Sequence, residues 1–168
     1  SQISEAKERI YPYINKTPVL KSSTLSDLTK TDLYFKCENF QKSGSFKIRG
    51  ATNTVLQLSK EDLKKGIVTA SSGNHGAALS LAVSRLGIKP KIIMPNNTSK
   101  VKIENVRRNG GQIIWCEPNH DSREEVLNDV LKSTESILVH PYNDIRIIKG
   151  QGTVALELIE QCLSLIHI

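Results

Sequence analysis

The alternation of strand and helix patterns between residues 66 and 143 is the feature that most limits the fold of this chain. Four short apolar runs predict strands, and they read IVTA, PKIIMP, QIIWC and SILVH. Three segments with helical spacing separate them: NHGAALSLAVSRLG, SKVKIENVRRNGG and SREEVLNDVLKSTE. Strands joined through single helices and short connections form βαβ units around a parallel sheet. The sequence therefore predicts an α/β fold.

The residues before this region predict further elements. The segment Ile3–Ile14 has the spacing of an amphipathic helix, and Asp32–Glu38 alternates as a strand does. A helical pattern runs from Ser45 to Leu58, and Ser59 is placed to cap a short helix that follows it. Near the end of the chain, a further helix is expected over Thr153–Leu163.

Composition excludes several classes of partner. The 168 residues include 23 basic and 17 acidic side chains, and the basic residues are interleaved with the acidic ones rather than clustered. Aromatic residues make up only 5% of the chain, which leaves few rings for stacking on bases. No apolar run reaches the length of a membrane span. We expect neither nucleic acid nor a membrane as a partner.

The cysteines indicate a reducing compartment. Cys37, Cys116 and Cys162 lie far apart and form no CxxC pair, and the N-terminus has no signal-peptide pattern. This spacing argues against a disulfide framework and against a structural zinc site. We expect buried thiols and a cytoplasmic protein.

The segment SSGNHG, Ser71–Gly76, follows the strand IVTA and begins the next helix. In parallel sheets, active groups lie at the carboxyl ends of the strands. Small residues here let main-chain N–H groups close around an anion, and the helix N-terminus adds its positive dipole end. Asn74 and His75 add polar side chains at the same place. The alternative is an ordinary turn in which Asn74 caps the helix. The glycine spacing fits neither a Walker loop nor a dinucleotide fingerprint.

A lysine in an unusual setting forms the second motif, SGSFKIRG at Ser43–Gly50. Lys47 follows small residues and one phenylalanine, and it begins a helical run. An exposed charge, a phosphate clamp and a nucleophile are all compatible with this position.

Together the two motifs resemble the fold type II pyridoxal-phosphate enzymes, the tryptophan-synthase-β-like superfamily. SSGNHG begins 24 residues after Lys47, and TPVL, VHP and GQGT match as well, so the resemblance covers nearly the whole chain. Within the superfamily the chain is similar to the serine/threonine dehydratase and serine racemase group. The resemblance implies an α/β fold of three-layer parallel sheets, with a complete small domain and a partial large domain.

The same resemblance implies how the chain is divided. Residues 1–65 would form the N-terminal part of the large domain with the Schiff-base lysine, residues 66–143 a small αβα domain, and residues 144–168 a return into the large domain. The family's glycine-rich phosphate loop, the residue facing the pyridine nitrogen and the acidic ligands of a divalent cation come after this region. The tail LSLIHI also departs from the family, so we expect a chain truncated at its C-terminus.

Site roles follow from the resemblance. Lys47 would form the Schiff base with pyridoxal 5'-phosphate and later act as the general base at the substrate Cα. Phe46 would pack near the cofactor ring, with a core phenylalanine as the alternative. Asn74 would donate a hydrogen bond to the phenolic oxygen of the cofactor. The substrate carboxylate would be received by main-chain and side-chain donors of the loop Ser71, Ser72, Gly73, Asn74 and His75. Arg123 would lie near the substrate, with a helix surface arginine as the alternative.

Ser72 separates two activities of this group. Racemisation needs a second acid/base on the face of the substrate opposite the lysine, and in serine racemases a serine at this position supplies it. Biosynthetic threonine dehydratases have a sequence similar to SAGNH here. The alanine replaces the serine, so only the lysine face of the substrate is served. The resemblance therefore implies a serine racemase that interconverts L- and D-serine and eliminates some serine to pyruvate and ammonia. A dehydratase acting on threonine or serine, or a non-catalytic fragment of such an enzyme, remains the alternative.

The resemblance also implies effectors and an assembly. A divalent cation (Mg or Ca) and ATP act on such proteins at full length, and the full-length protein is expected to be a homodimer. Part of the nucleotide site is matched by Ser22, Ser23, Lys42 and Ser43. Asn109 and Tyr142 differ from the usual residues of that site.

Overall fold

The computed structural model describes residues 1–162. Within them lie eight α-helices: α1 Gln2–Ile10, α2 Ser23–Thr29, α3 Lys47–Val55, α4 Lys60–Lys65, α5 Asn74–Ser84, α6 Lys100–Arg108, α7 His120–Thr134 and α8 Ile145–Gln161. Six strands accompany them: β1 Val19–Lys21, β2 Tyr34–Lys36, β3 Ile67–Ala70, β4 Lys91–Pro95, β5 Gln112–Cys116 and β6 Ile137–Leu138. Short 3₁₀ turns occupy Tyr11–Tyr13 and Glu38–Phe40.

Four of the strands form a parallel sheet in the order β5-β4-β3-β6. Val68 of β3 lies opposite Lys91 of β4 on one side and Leu138 of β6 on the other. Because all four strands are parallel, each connection has to cross over the sheet, and α5, α6 and α7 make these crossovers in turn. The predicted α/β fold with a parallel sheet is confirmed.

The sheet is covered on both faces. Along β4, Ile92 and Met94 belong to one buried cluster that includes residues of α3 and α5, whereas Ile93 belongs to a second cluster with residues of α7. Successive side chains of a strand point to opposite faces, so this alternation places helices on both sides. The result is a three-layer arrangement in which every strand of the sheet ends at the same edge.

Close packing joins α3 to α8. A Cβ added to Gly150 would lie 2.6 Å from the Cα of Gly50 and 2.7 Å from the carbonyl oxygen of Arg49. The two helices therefore meet main chain against main chain, which only glycine permits at this point. This contact fixes the helix that begins at Lys47 against the helix that follows β6.

Several sequence-based boundaries differ from the structure. The helix expected over Ile3–Ile14 ends at Ile10 and continues as a 3₁₀ turn containing Pro12. The run SILVH forms a strand of only two residues, Ile137–Leu138. The helix expected from Thr153 already begins at Ile145, where Asp144 accepts a hydrogen bond from the N–H of Arg146.

The structure bears on only some of the expectations about the C-terminal tail, the division of the chain, the cysteines and a membrane span. Leu163 and the tail LSLIHI lie outside the described residues, and the division at residues 65 and 143 stays a prediction. All three cysteines are free; Cys37 and Cys116 are buried, and Cys162 is partly exposed. No helix within residues 1–162 combines the length and the apolar character needed to cross a membrane.

Candidate active site

The loop between β3 and α5 is shaped by Ser71. Its Oγ accepts hydrogen bonds from the N–H groups of Gly73, at 3.3 Å, and Gly76, at 3.2 Å. Gly73 precedes the helix without any side-chain cap, and Asn74 is the first residue of α5. The alternative in which Asn74 caps this helix is therefore wrong, since Ser71 provides the acceptor for the first turn.

This loop offers free donors to a ligand. The N–H groups of the first helical turn have no intrahelical partner, and Ser71 takes only those of Gly73 and Gly76. The N–H groups of Asn74 and His75 have no acceptor among residues 1–162. A Cβ placed on Gly73 would meet no atom within 4 Å, so the approach to these donors is open. The N-terminus of α5 can therefore receive an anion such as a carboxylate.

Lys47 begins α3, and its amine is partly buried. Its Nζ donates a hydrogen bond to the carbonyl oxygen of Pro141 at 3.0 Å and lies 5.4 Å from the centroid of the Phe46 ring. Burial lowers the pKa of Lys47 because the charged form loses hydration. A lysine in this state more readily becomes the neutral nucleophile. Phe46 is 40% exposed within the described part of the chain, and its place beside the cofactor ring stays a prediction.

His75 is buried beside the same segment. Its Nε2 lies 3.3 Å from the carbonyl oxygen of Val139, which can only accept, so Nε2 carries the ring proton. Burial lowers the pKa of His75 to about 4; the Val139 bond opposes this shift, and the charge of Lys47 adds to it. The ring is neutral near pH 7, and its Nδ1 is buried with no hydrogen-bond partner within the described part of the chain. Because the ring donor is occupied, the donor of His75 toward an anion is its main-chain N–H.

The segment 139–141, directly after β6, joins the two motifs. The carbonyl of Val139 contacts His75, and the carbonyl of Pro141 contacts Lys47. β3 and β6 are parallel neighbours, so the loop Ser71–His75 and this segment emerge at the same edge of the sheet. The structure thus brings Lys47 to the same edge as the loop with free N–H donors, although the two are separate in the sequence.

Arg123 lies at the same edge but farther along. Arg123 is on α7, near Cys116 at the end of β5. Burial raises the pKa of Cys116, and the positive charge of Arg123 opposes this rise. β5 is two strands away from β3, which is about 10 Å at the usual strand spacing. Within residues 1–162 its side chain makes no hydrogen bond to the Ser71–His75 loop, and its substrate role stays a prediction.

The residues expected at a nucleotide site have local surroundings. Ser22 caps α2 by accepting the N–H of Leu25 at 3.3 Å, and the buried hydroxyl of Ser43 donates to the carbonyl of Ser45 at 3.4 Å. Ser23 and Lys42 are exposed. Effector binding by these residues also stays a prediction.

Sequence reasoning missed the carbonyl of Pro141 and a buried ionic cluster, defined by Lys36, Glu38, Arg49 and Glu157. A main-chain carbonyl has no residue-type signature, so no sequence pattern indicates the Pro141 contact. Arg49 is fully buried two residues after Lys47. An arginine inside a helical run that is otherwise apolar or small indicates a paired charge, because arginine is almost never buried without a partner.

A cavity of about 460 Å³ lies elsewhere, between α1 and α8, and is lined by Lys7, Tyr11, Leu156 and Glu160 among others. None of the expected site residues contributes to it. The candidate site is thus an open sheet edge rather than this cavity.

Comparisons with known proteins identify the family of the chain. The family model described as "Pyridoxal-phosphate dependent enzyme" matches residues 10–167. The chain is 55% identical to serine racemase of Arabidopsis thaliana over 159 residues, which is 95% of this chain and 48% of that protein. It is 50% identical to beta-hydroxyaspartate dehydratase of Paracoccus denitrificans over 93% of this chain and 50% of the relative.

A solved structure shows the same fold. Maize serine racemase superimposes with a TM-score of 0.92 at 48% identity, over 95% of this chain and 49% of that structure. The chain thus spans about half the length of the relatives it matches. By its motifs, its three-layer fold and these matches, the chain belongs to the family of pyridoxal-phosphate dependent enzymes.

Proposed function

We propose that this chain carries the reacting lysine and the substrate-carboxylate loop of a serine racemase that interconverts L- and D-serine, with some elimination to pyruvate and ammonia. The convergence of the Lys47 amine and the Ser71–His75 loop on residues 139–141 carries the proposal. Relatives named as serine racemases, from Arabidopsis and maize, support the choice of activity.

The residues at this edge fit pyridoxal phosphate. The partly buried amine of Lys47 has a lowered pKa, which suits covalent attachment to an aldehyde. The exposed ring of Phe46 lies beside it and offers an aromatic surface to a planar group. Two buried polar atoms of the two motifs, Ser45 Oγ and His75 Nδ1, have no hydrogen-bond partner within residues 1–162.

Each residue then has a chemical task. When bound, pyridoxal phosphate withdraws electrons from the substrate Cα and makes its proton acidic. Lys47 removes or returns that proton on one face as a general base or acid. Ser72 does the same on the opposite face, and the side chain of Asn74 donates to the phenolic oxygen. The N–H groups of Asn74 and His75 hold the carboxylate, with Ser71 shaping their loop.

A dehydratase acting on serine or threonine is the second candidate. The dehydratase of Paracoccus denitrificans, which is 50% identical, favours it. Elimination needs the proton on only one face, so Lys47 alone would serve it. The presence of Ser72 favours the racemase.

The proposal extends to the partners of the whole protein. We infer small amino acid substrates, serine first, with Arg123 near the substrate. Mg²⁺ or Ca²⁺ and ATP would act as effectors, the nucleotide near Ser22, Ser23, Lys42 and Ser43. The full-length protein would be a cytoplasmic homodimer.

Reductive trapping tests the assignment of Lys47. A chimaera of this chain with the C-terminal half of the Arabidopsis relative, which would supply the phosphate loop, is incubated with pyridoxal phosphate, reduced with borohydride and mapped by peptide mass spectrometry. We expect the pyridoxyl group on Lys47, its loss in Lys47→Arg, and its retention in the control Lys60→Arg, which alters an exposed lysine outside the proposed sites. Label spread evenly over other lysines, or none on Lys47, would refute the proposal.

A further inference from the structure

The carbonyl that holds Lys47 lies in a turn without regular secondary structure. Val139 N–H donates to the carbonyl of Val68 at 2.9 Å, which is the last bond of this segment to the sheet. Asp144 then caps α8. Pro141 lies between these two anchors, so neither a sheet ladder nor a helix fixes the direction of its carbonyl.

The imidazole of His140 closes this turn. Its Nδ1 accepts hydrogen bonds from the main-chain N–H of Asn143 at 2.8 Å and of Tyr142 at 3.3 Å. A nitrogen that accepts carries no proton, so the ring is the tautomer protonated on Nε2. The Tyr142 ring packs edge-to-face on the imidazole, with centroids 4.5 Å apart and planes at 88°. Both N–H groups bend back toward His140, and Pro141 lies inside the loop they close.

We propose that His140 is a positioning residue: its Nδ1 closes the turn 140–143 and thereby holds the Pro141 carbonyl against the Lys47 amine. The inference rests on the proposed function in that Lys47 is taken as the reacting lysine. The carbonyl orients Nζ, which donates to it at 3.0 Å. A carbonyl acceptor also favours the ammonium form and so opposes the effect of burial on Lys47.

Variants at position 140 separate the acceptor from the ring. His140→Ala removes the acceptor. His140→Asn keeps one, because an asparagine side-chain oxygen can accept the main-chain N–H two or three residues ahead. His120→Ala is the control, since His120 is an exposed histidine on α7, with 67% of its side chain accessible.

Two measurements on the cofactor-free chain follow the turn and the lysine. Amide hydrogen exchange of Asn143 reports closure of the turn. The pH titration of the Lys47 Cε–Hε NMR signals, assigned with Lys47→Arg, reports the lysine environment. In His140→Ala we expect exchange to rise about tenfold for the loss of one hydrogen bond. The pKa of Lys47 should fall by about one unit, as a charged donor loses its acceptor.

The outcomes are distinct. His140→Asn and His120→Ala should keep both values near those of the unmodified chain. In His140→Ala, either an unchanged exchange rate of Asn143 or an unchanged or raised pKa of Lys47 would overturn the inference, as would an asparagine variant that behaves like the alanine variant. Neither measurement needs the cofactor. Failure to trap the pyridoxyl group on Lys47 therefore refutes the proposed function alone, whereas trapping with an insensitive His140→Ala refutes the positioning role alone.

Discussion

Lys47 and His75 share one electrostatic environment. Each is at least partly buried, and each contacts a main-chain carbonyl of residues 139–141. Burial lowers the pKa of both, and the charge of Lys47 lowers that of His75 further. The histidine therefore stays neutral, and the positive charge at this edge belongs to the lysine and the helix N-terminus.

This neutrality predicts a pH dependence of stability. With a pKa of about 4 in the folded state and 6.5 as the ordinary value, His75 binds fewer protons folded than unfolded between these limits. Its contribution is complete above pH 6.5 and is lost as the pH falls toward 4. The free energy of unfolding should decrease by about 3 kcal/mol across this window.

Denaturant unfolding at several pH values measures how steeply the free energy of unfolding changes with pH. His75→Gln, which can still donate to Val139 but cannot take up a proton, should remove this part of the dependence. A slope that is the same in the variant would show that other groups cause it.

Ser72 is tested by separating two reactions. In a chimaera of this chain with the C-terminal half of the Arabidopsis relative, Ser72→Ala should lower racemisation by roughly 10²- to 10⁴-fold, as for a lost general acid/base. Elimination from L-serine should survive better, because Lys47 serves that face. Elimination from D-serine should fall with racemisation. D-Serine and pyruvate formation are compared with the unmodified chimaera, and an equal loss of both activities on L-serine would contradict the acid/base role.

At the scale of elements, the sequence predicts the central part of the fold well. β3, β4 and β5 occur where their apolar runs place them, and Ser59 caps α4 through a capping box with Asp62. These elements are marked by local periodicity and capping residues, which do not depend on distant contacts. β1 and α2 were not anticipated, since segments of three and seven residues are too short to show a period.

The close contact between α3 and α8 also cannot be predicted from the sequence, because it depends on two glycines that are 100 positions apart. Gly150→Ala would place a methyl group 2.6 Å from the Cα of Gly50, where only main chain can give way. We expect the free energy of unfolding to fall by about 1 to 3 kcal/mol, as for other overpacked sites.

Gly152→Ala is the matched control on the same helix. Its added Cβ would meet mainly the Ile3 side chain, which is 37% exposed and able to move. Better helix propensity should make this variant neutral or slightly stabilising. Thermal unfolding of both variants measures the difference in stability. Equal destabilisation would show that the close approach at Gly150 is not the cause of the loss in the Gly150→Ala variant.

At the scale of the molecule, the buried ionic cluster links segments from both ends of the chain. Arg49 donates to Glu38 at 2.8 Å from both Nε and Nη2, and to Glu157 at 3.1 and 3.2 Å. Glu157 also accepts from Lys36 and from the N–H of Thr17. The cluster thus fixes β2, the 3₁₀ turn after it, α3 and α8 to one another.

The cluster shows why part of the site could not be predicted. Motif residues such as Lys47 and Asn74 can be found because their type and spacing follow the chemistry. The partners of Arg49 lie 11 and 108 residues away, and nothing in a single sequence pairs them. The same holds for the Pro141 carbonyl, 94 residues from Lys47.

The balance of charges within the cluster predicts how stability changes when one carboxylate is lost. Burial raises the pKa of Glu157, but hydrogen bonds from Arg49 and Lys36 outweigh it and hold the pKa below its ordinary value. Glu157→Gln would leave two buried cations facing the single carboxylate of Glu38. Because an uncompensated buried charge costs about 3 to 5 kcal/mol, the free energy of unfolding should fall by a similar amount. Asp32→Asn, which breaks the exposed pair with Lys21, is the control and should leave stability unchanged within error. Chemical denaturation measures both, and a Glu157→Gln variant as stable as Asp32→Asn would show that α8 is held by apolar packing alone.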